Sequence, residues 1–317
     1  MGINRRQFIT LSGLAGLGAI GAGTLILSQR SESFPALHPG KPLFRFGLLA
    51  DTGTGSIGQY AVGKALFEQH QARALNMVLL AGDNIYTNGE FEKIKAYFAT
   101  PYENLLKSGV KFYATLGNHD ARADVCGADR GEHCAATSTQ PIKNEQVTYP
   151  PFNMGGQRYY TFKQGNVQFF ATETNSLGNP TSPTRAAQLQ WLDRELGKSK
   201  AKVKVVFGHH PLYSVGYYGN NDILIRDVEP LLVKHKVNLW MDGHDHNYQR
   251  SNPIKGVTYV VAGGGGAGLY PILSQADWSA YAKSTHSFAT VDVYADRLIV
   301  SGIDSNGVVL DRGIINL

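Results

Sequence analysis

The stretch Leu43–Ala50, LFRFGLLA, runs straight into Asp51-Thr52-Gly53, and the same event recurs along the chain. Met77–Ala81 ends in Gly82-Asp83-Asn84-Ile85-Tyr86, and Val110–Leu116 in Gly117-Asn118-His119-Asp120. Val203–Phe207 ends in Gly208-His209-His210-Pro211, and Val237–Met241 leads to Gly243-His244-Asp245-His246. Short apolar runs rich in β-branched and aromatic residues read as buried strands. Between them lie segments of helical period: Ile57–Leu75, Glu90–Lys107, Thr184–Lys198 and Asp222–His235. Strand alternating with helix is the pattern of an α/β domain. Tyr159–Thr172 and Ser287–Ser301 read as hairpins turning at Gln164-Gly165-Asn166 and Ala295-Asp296.

In open α/β sheets, ligands bind at the carboxyl ends of the strands. Five strand ends carrying Asp, Asn or His therefore place those residues on one surface, with glycines that let the backbone turn sharply before them. One polar residue after a strand is an ordinary turn or cap; five in one chain are not. Carboxylates, an amide oxygen and imidazoles are hard or borderline donors suited to Fe, Zn or Mn. They are too many for one ion and enough for two, and a two-metal centre with a bridging carboxylate suits displacement at phosphorus.

The 317 residues include 43% hydrophobic and 17% charged positions, enough apolar material for a large core and excluding a disordered chain. The formal net charge is +5. Three of those positive charges, Arg5, Arg6 and Arg30, lie in the first thirty residues, which leaves an almost balanced remainder without a basic footprint for nucleic acid. Asn4-Arg5-Arg6-Gln7-Phe8-Ile9 precedes an apolar, glycine-rich stretch, Leu11–Leu27. Residues 1–30 thus read as an export signal of the twin-arginine type. With no clean cleavage site after Leu27, an N-terminal membrane anchor stays open. The expected partner is the twin-arginine export machinery and the expected location periplasmic or secreted. Residues 31–42 read as a short linker and 43–317 as one catalytic domain. Cys126 and Cys134, with seven residues between them and beside His133, fit a disulfide in an oxidising compartment, free thiols, or a metal site.

The series Asp51, Gly82-Asp83-Asn84-Ile85-Tyr86, Gly117-Asn118-His119-Asp120, Val206-Phe207-Gly208-His209 and Gly243-His244-Asp245-His246 resembles the calcineurin-like metallophosphoesterases. More narrowly it resembles the purple acid phosphatases of the tartrate-resistant type. Its first motif is Asp51-Thr52-Gly53 without the Asp-x-His of the wider group, and Tyr86 follows Asp83 by three residues. The resemblance implies two packed mixed β-sheets flanked by helices, an αββα sandwich. It implies one metal held by Asp51, Asp83, Tyr86 and His246, and a second by Asp83, Asn118, His209 and His244, with Asp83 bridging. The expected pair is Fe(III) plus a divalent Fe, Zn or Mn.

A phenol with a pKa near ~10 needs a strong Lewis acid to bind as phenolate near neutrality, which suits Fe(III) at Tyr86. Two carboxylates and a phenolate leave a trivalent–divalent pair net positive, an attraction for a small dianionic phosphate monoester. The expected reaction is attack by a metal hydroxide, with His119 facing the substrate and protonating the leaving group. Asn118 and His210 are further expected substrate contacts, although His210 also fits a structural hydrogen bond. A phosphodiesterase on nucleotides or phospholipid head groups, and a metal-binding surface protein without turnover, are the competing readings. Gly263, Gly265 and Gly268 match a G-x-G-x-x-G pattern, but no helical period follows, which favours a turn beside the site. Neither the Ala123–Gln140 insertion nor Glu173 receives a role from sequence, and oligomeric state is not legible in it.

Overall fold

The computed structural model describes residues 40–122 and 145–317. The export segment, most of the linker, and Cys126, Cys134 and the Ala123–Gln140 insertion lie outside the described residues. Among the described residues, no helix is long and apolar enough to cross a membrane.

Every strand expected from sequence forms, most within a residue or two of its expected bounds, and further strands that the sequence reading did not name form after Asp242. In chain order they are β1 (Phe44–Leu49), β2 (Met77–Ala81), β3 (Lys111–Thr115), β4 (Tyr160–Gln164), β5 (Val167–Ala171), β6 (Val203–Phe207), β7 (Leu239–Asp242), β8 (Tyr248–Ser251), β9 (Thr258–Ala262), β10 (Ser279–Lys283), β11 (Ser287–Val293), β12 (Arg297–Asp304) and β13 (Val309–Asn316). They build two mixed sheets, ordered β13-β12-β11-β1-β2-β3 and β10-β8-β9-β7-β6-β5-β4. The alternation of side chains along a strand explains the layering. Leu48, Leu79, Phe169, Val205 and Met241 enter the layer between the sheets. Their neighbours Leu49 and Leu80 face the outer side of the first sheet, while Phe170, Val206 and Trp240 face that of the second. Both faces of the central strands are covered, so they read as unbroken apolar runs.

The outer layers are helical. Helix α1 (Ile57–Ala72) starts at Ser56, whose hydroxyl accepts from Gln59 N, and buries Val62, Ala65 and Leu66 on the first sheet. Glu90–Lys107 is not the single helix its periodicity suggests. It breaks into a three-ten turn at Phe91–Lys93, a π-helical turn at Lys95–Ala99 and α2 (Glu103–Lys107). Pro101 has no N–H to continue the ladder. Helices α3 (Asn118–Arg122) and α4 (Thr174–Leu177) are single turns directly after β3 and β5. Helix α5 (Arg185–Lys198) covers the second sheet through Leu192 and Leu196. Asp222–His235 divides into α6 (Asp222–Asp227) and α7 (Glu229–Lys234), with Pro230 in the first turn of the latter. The expected two-sheet, helix-flanked sandwich is the observed architecture.

Candidate metal centre

The ends of β1, β2 and β3 in one sheet and of β6 and β7 in the other converge at one edge of the sandwich, so the expected surface spans two sheets. Of the six described non-glycine residues with positive φ, three are candidate ligands: Asp51 (58°), Asp83 (52°) and His244 (66°). Backbone held in this sparsely populated region clusters at functional sites. Gly82, at φ +83°, makes the sharp turn expected of it. Gly243 serves by close approach instead, because a Cβ there would lie 2.2 Å from Ala50 Cβ and 2.4 Å from Asp51 Oδ2.

Tyr86 Oη lies 3.1 Å from Asp51 Oδ1, 2.9 Å from Asp83 Oδ2 and 3.2 Å from His246 Nε2. His246 Nε2 is 3.3 Å from Asp51 Oδ1. Beside this group, His209 Nε2 is 3.5 Å from Asp83 Oδ2, 3.0 Å from Asn118 Oδ1 and 3.2 Å from His244 Nδ1. Asp83 belongs to both groups. Donor atoms of Asp51, Asp83 and His209 lie within 4.8 Å of one another, as do those of His209, His210 and His244.

The chemistry of this donor set fits cations. One phenolic proton cannot satisfy the three acceptors that close on Tyr86 Oη. His209 Nδ1 donates to Ala81 O at 2.9 Å, and His246 Nδ1 to Gly268 O at 2.5 Å. Those bonds fix the tautomers and aim each neutral Nε2 lone pair into the site, the usual arrangement behind a metal-binding imidazole. Burial, followed by the charges of Asp83 and Asp51, holds the Tyr86 phenol well above its ordinary range. Burial would depress His209 and His246, but Asp83 and Asp51 outweigh it and raise both. Burial and the surrounding histidines hold His244 well below its usual value, keeping it neutral.

His119 stands at the rim. Its Nδ1 lies 2.6 Å from Thr87 O, its main-chain N–H donates to Asp83 Oδ1 at 2.9 Å, and its Nε2 is 3.9 Å from Asp83 Oδ2. His210 does not point away from its neighbour, as an extended backbone would require. The chain has left β6 at this point, and the His210 ring lies 4.4 Å from that of His244. Thr174 Oγ1 accepts from the main-chain N–H groups of His209 and His210 and lies 2.8 Å from His210 Nδ1, so His210 also has a structural hydrogen bond. Burial and then His209 hold His210 down at about 3.

Several supports went unassigned in the sequence. Asp120 is buried and accepts from Gly117 N, Asn84 N, Ile85 N and Gln146 Nε2, tying the loops after β2 and β3 together. Burial and then the charge of Asp83 raise it to about 7 against those donors. Its place inside Gly117-Asn118-His119-Asp120 was the available signal. Asp245 accepts from Ser214 Oγ and from the main-chain N–H groups of Tyr217 and Tyr218 at 2.8 and 3.3 Å. Glu173 caps α4 by accepting from Asn175 N and Ser176 N. The run Gly263–Gly268 forms no helix and packs on the centre as a turn, with Gly263 against Asp245 O and Asp51 Oδ2.

The calcineurin-like phosphoesterase family profile matches residues 44–248, and the iron/zinc purple acid phosphatase-like protein C profile matches 256–312. Tartrate-resistant acid phosphatase type 5 of Oryctolagus cuniculus is 26% identical over 256 residues, covering 76% of this chain and 78% of the relative. Purple acid phosphatase 17 of Arabidopsis thaliana is 27% identical over 258 residues, covering 76% and 75%. Among solved structures, GAP50, the anchor in the inner membrane complex of Plasmodium, superposes with a TM-score of 0.69 at 18% identity over 87% of this chain and 90% of that one. The purple acid phosphatase from yellow lupin seeds gives 0.68 at 18% identity, over 87% of this chain and 54% of that one. These two structures share the fold.

Proposed function

The chain belongs to the calcineurin-like phosphoesterase family, and we propose that it is an acid phosphatase hydrolysing phosphate monoesters at a dinuclear metal centre. The purple acid phosphatase-like C-terminal match implies iron in that centre. Asp51, Asp83, Tyr86 and His246 would hold the trivalent ion. Asp83, Asn118, His209 and His244 would hold a divalent Fe, Zn or Mn. Bound there, such a pair supplies Lewis acidity toward phosphoryl oxygens and lowers the pKa of water. The observation that carries the reading is the convergence of buried and half-buried acceptors from five strand ends, with one acid, Asp83, shared between two groups.

The remaining work falls to the chain itself. Thr87 O orients His119 through Nδ1, which leaves Nε2 to hand a proton to the departing ester oxygen. His210, steadied by Thr174, borders the same space and would contact a phosphate oxygen, as would Asn118. Asp120 holds the two loops that carry Asp83 and Asn118 at fixed separation, so neither group must be ordered when substrate binds.

Residues 1–30 would direct export by the twin-arginine route, or anchor the chain, with 31–42 as linker and 43–317 as the catalytic domain. Arg5-Arg6 supports this reading. Replacing both with Lys should leave active protein in the cytoplasm; unchanged export would refute it.

The test of the activity is a visible spectrum with metal analysis of protein from its native host, together with turnover of phosphate monoesters, diesters and cyclic nucleotides at acid pH. Two metals, colour and a preference for monoesters are expected. A preference for diesters would move the assignment to a phosphodiesterase, and absence of turnover with both metals bound would exclude an enzyme.

A further inference from the structure

Three tyrosines gather where the centre opens to solvent. Tyr218 lies on His244, with centroids 4.0 Å apart and planes inclined by 20°, and Tyr270 lies on His246 at 4.0 Å and 8°. Tyr217 joins them, 5.2 Å from Tyr218 and 5.3 Å from Tyr270. Although Tyr217 and Tyr218 are 58% and 47% exposed, their backbone is fixed. Asp245, which follows His244 and precedes His246 in the chain, accepts from the main-chain N–H groups of both Tyr217 and Tyr218. Gly216 lets the loop approach this closely, since a Cβ there would lie 2.7 Å from Asp245 Cγ and Asn247 Nδ2. On the other side, Tyr270 N donates to His246 O at 3.1 Å, and Leu273 N to Val215 O at 2.9 Å. Beside Tyr218 lies a cleft of about 460 Å³, bordered by His210, His244, Pro211, Asn220 and Asp222.

Resting on the phosphatase reading, we infer that Tyr218, backed by Tyr217 and Tyr270, is the aromatic wall of a leaving-group cleft that selects phosphate esters of flat, aromatic alcohols. The wall begins at a ring stacked on a candidate ligand, so a group one ester bond from the phosphorus reaches it. Exposed aromatic side chains with anchored backbones offer π-faces at little ordering cost, and stacking on them tolerates many ring types. An aryl alcohol and a nucleoside share this chemistry. A small alkyl alcohol has no face to stack.

Tyr217 packs against the other two tyrosines, which themselves stack on the histidines, so its removal separates recognition from the direct support of metal ligands. The experiment compares wild type, Tyr217→Ala, Tyr218→Ala and Tyr218→Phe, with metal content measured for each. In metal-loaded protein, calorimetry should find phenylphosphonate bound more tightly than methylphosphonate. Each Ala variant should shrink that preference, by about five- to a hundredfold for Tyr218→Ala, and Phe should retain it. The ratio of kcat/KM for phenyl phosphate over glycerol phosphate should fall in step. A matching fall for adenosine monophosphate would extend the wall to nucleosides, and a fall for phenyl phosphate alone would restrict it to aryl esters. Equal affinity for the two phosphonates in wild type would overturn the inference, whatever the turnover. So would an unchanged preference in both Ala variants, or losses that follow metal content alone. If phosphonates discriminate and no ester is hydrolysed, the phosphatase reading fails and the aromatic cleft stands.

Discussion

His209 Nε2 faces Asn118 Oδ1 at 3.0 Å, and in the neutral ring both atoms are acceptors, because His209 Nδ1 is committed to Ala81 O. Without a cation the buried site draws a proton to this point, and Asp83 and Asp51 raise His209 against the opposing effect of burial. A metal ion held there would take the proton's place. The centre is therefore built for positive charge before any ion arrives.

Tyr86→Phe should abolish visible absorption in the metal-loaded protein while leaving the fold intact. The bare site holds the phenol well above its ordinary range through burial and the two carboxylates, so a phenolate forms there only against a strongly acidic cation. Absorption spectroscopy decides it, and colour that survives the change would remove Tyr86 from the ligand set.

Asp83→Ala should empty both metal positions, because Asp83 Oδ2 faces Tyr86 Oη on one side and His209 Nε2 on the other. His244→Ala should deplete mainly one. Metal stoichiometry of the purified variants is the measurement; retention of one full equivalent by Asp83→Ala would rule out a bridge.

His119→Asn should slow esters with poor leaving groups by about 10²–10⁴-fold, the usual worth of a general acid. Esters of acidic phenols should slow far less, because such phenolates leave nearly unaided. Both metals should remain bound. Equal losses across leaving groups would make His119 a phosphate-positioning residue.

Far from the centre, Arg45 on β1 pairs in register with Asp292 on β11, with Nε 3.3 Å from Oδ1, and Arg73 reaches the same carboxylate. Burial lowers Arg45 to about 10 and raises Asp292 despite both arginines. Asp292→Ala strands a buried guanidinium and should cost about 3–5 kcal/mol in denaturant unfolding. Replacing Arg45 and Asp292 together with apolar residues of similar size should recover most of that loss. A cost below about 1 kcal/mol for the single change would show that water reaches the pair.

Glu173 gives the pH test. Burial raises its carboxyl above the usual range, against the helix-cap N–H donors and Arg158. A raised folded-state pKa contributes stability that is full below the ordinary glutamate range and is lost as pH rises through the folded value. Glu173→Gln does not titrate. It should therefore gain on wild type over the range above about pH 4, by at most about 1.4 kcal/mol per pH unit. Parallel melting curves for the metal-free proteins across that range would contradict the shift.

The strands carrying the centre were legible because their apolar runs are local, and the step from glycine to a polar residue marks where four of the five leave the sheet. The helical segments were less so. Glu90–Lys107 and Asp222–His235 keep a helical period across Pro101 and Pro230, and a period does not register a missing N–H. Sequence alone also established which residue types could meet at one edge, since five ends of the same kind admit few other arrangements.

Atomic roles were set by the tertiary structure. Nothing in Gly243-His244-Asp245-His246 says that His244 turns Nδ1 inward while His246 presents Nε2, a difference enforced by the positive φ of His244 and the carbonyl of Gly268. Nor does it say that Asp245 anchors Tyr217 and Tyr218, which precede it by 28 and 27 positions. A pattern along the chain carries information about residues that share an element. Hydrogen bonds between loops, and rings stacked across them, depend on how two sheets bring distant ends together, and that arrangement exists only once the core between them has packed.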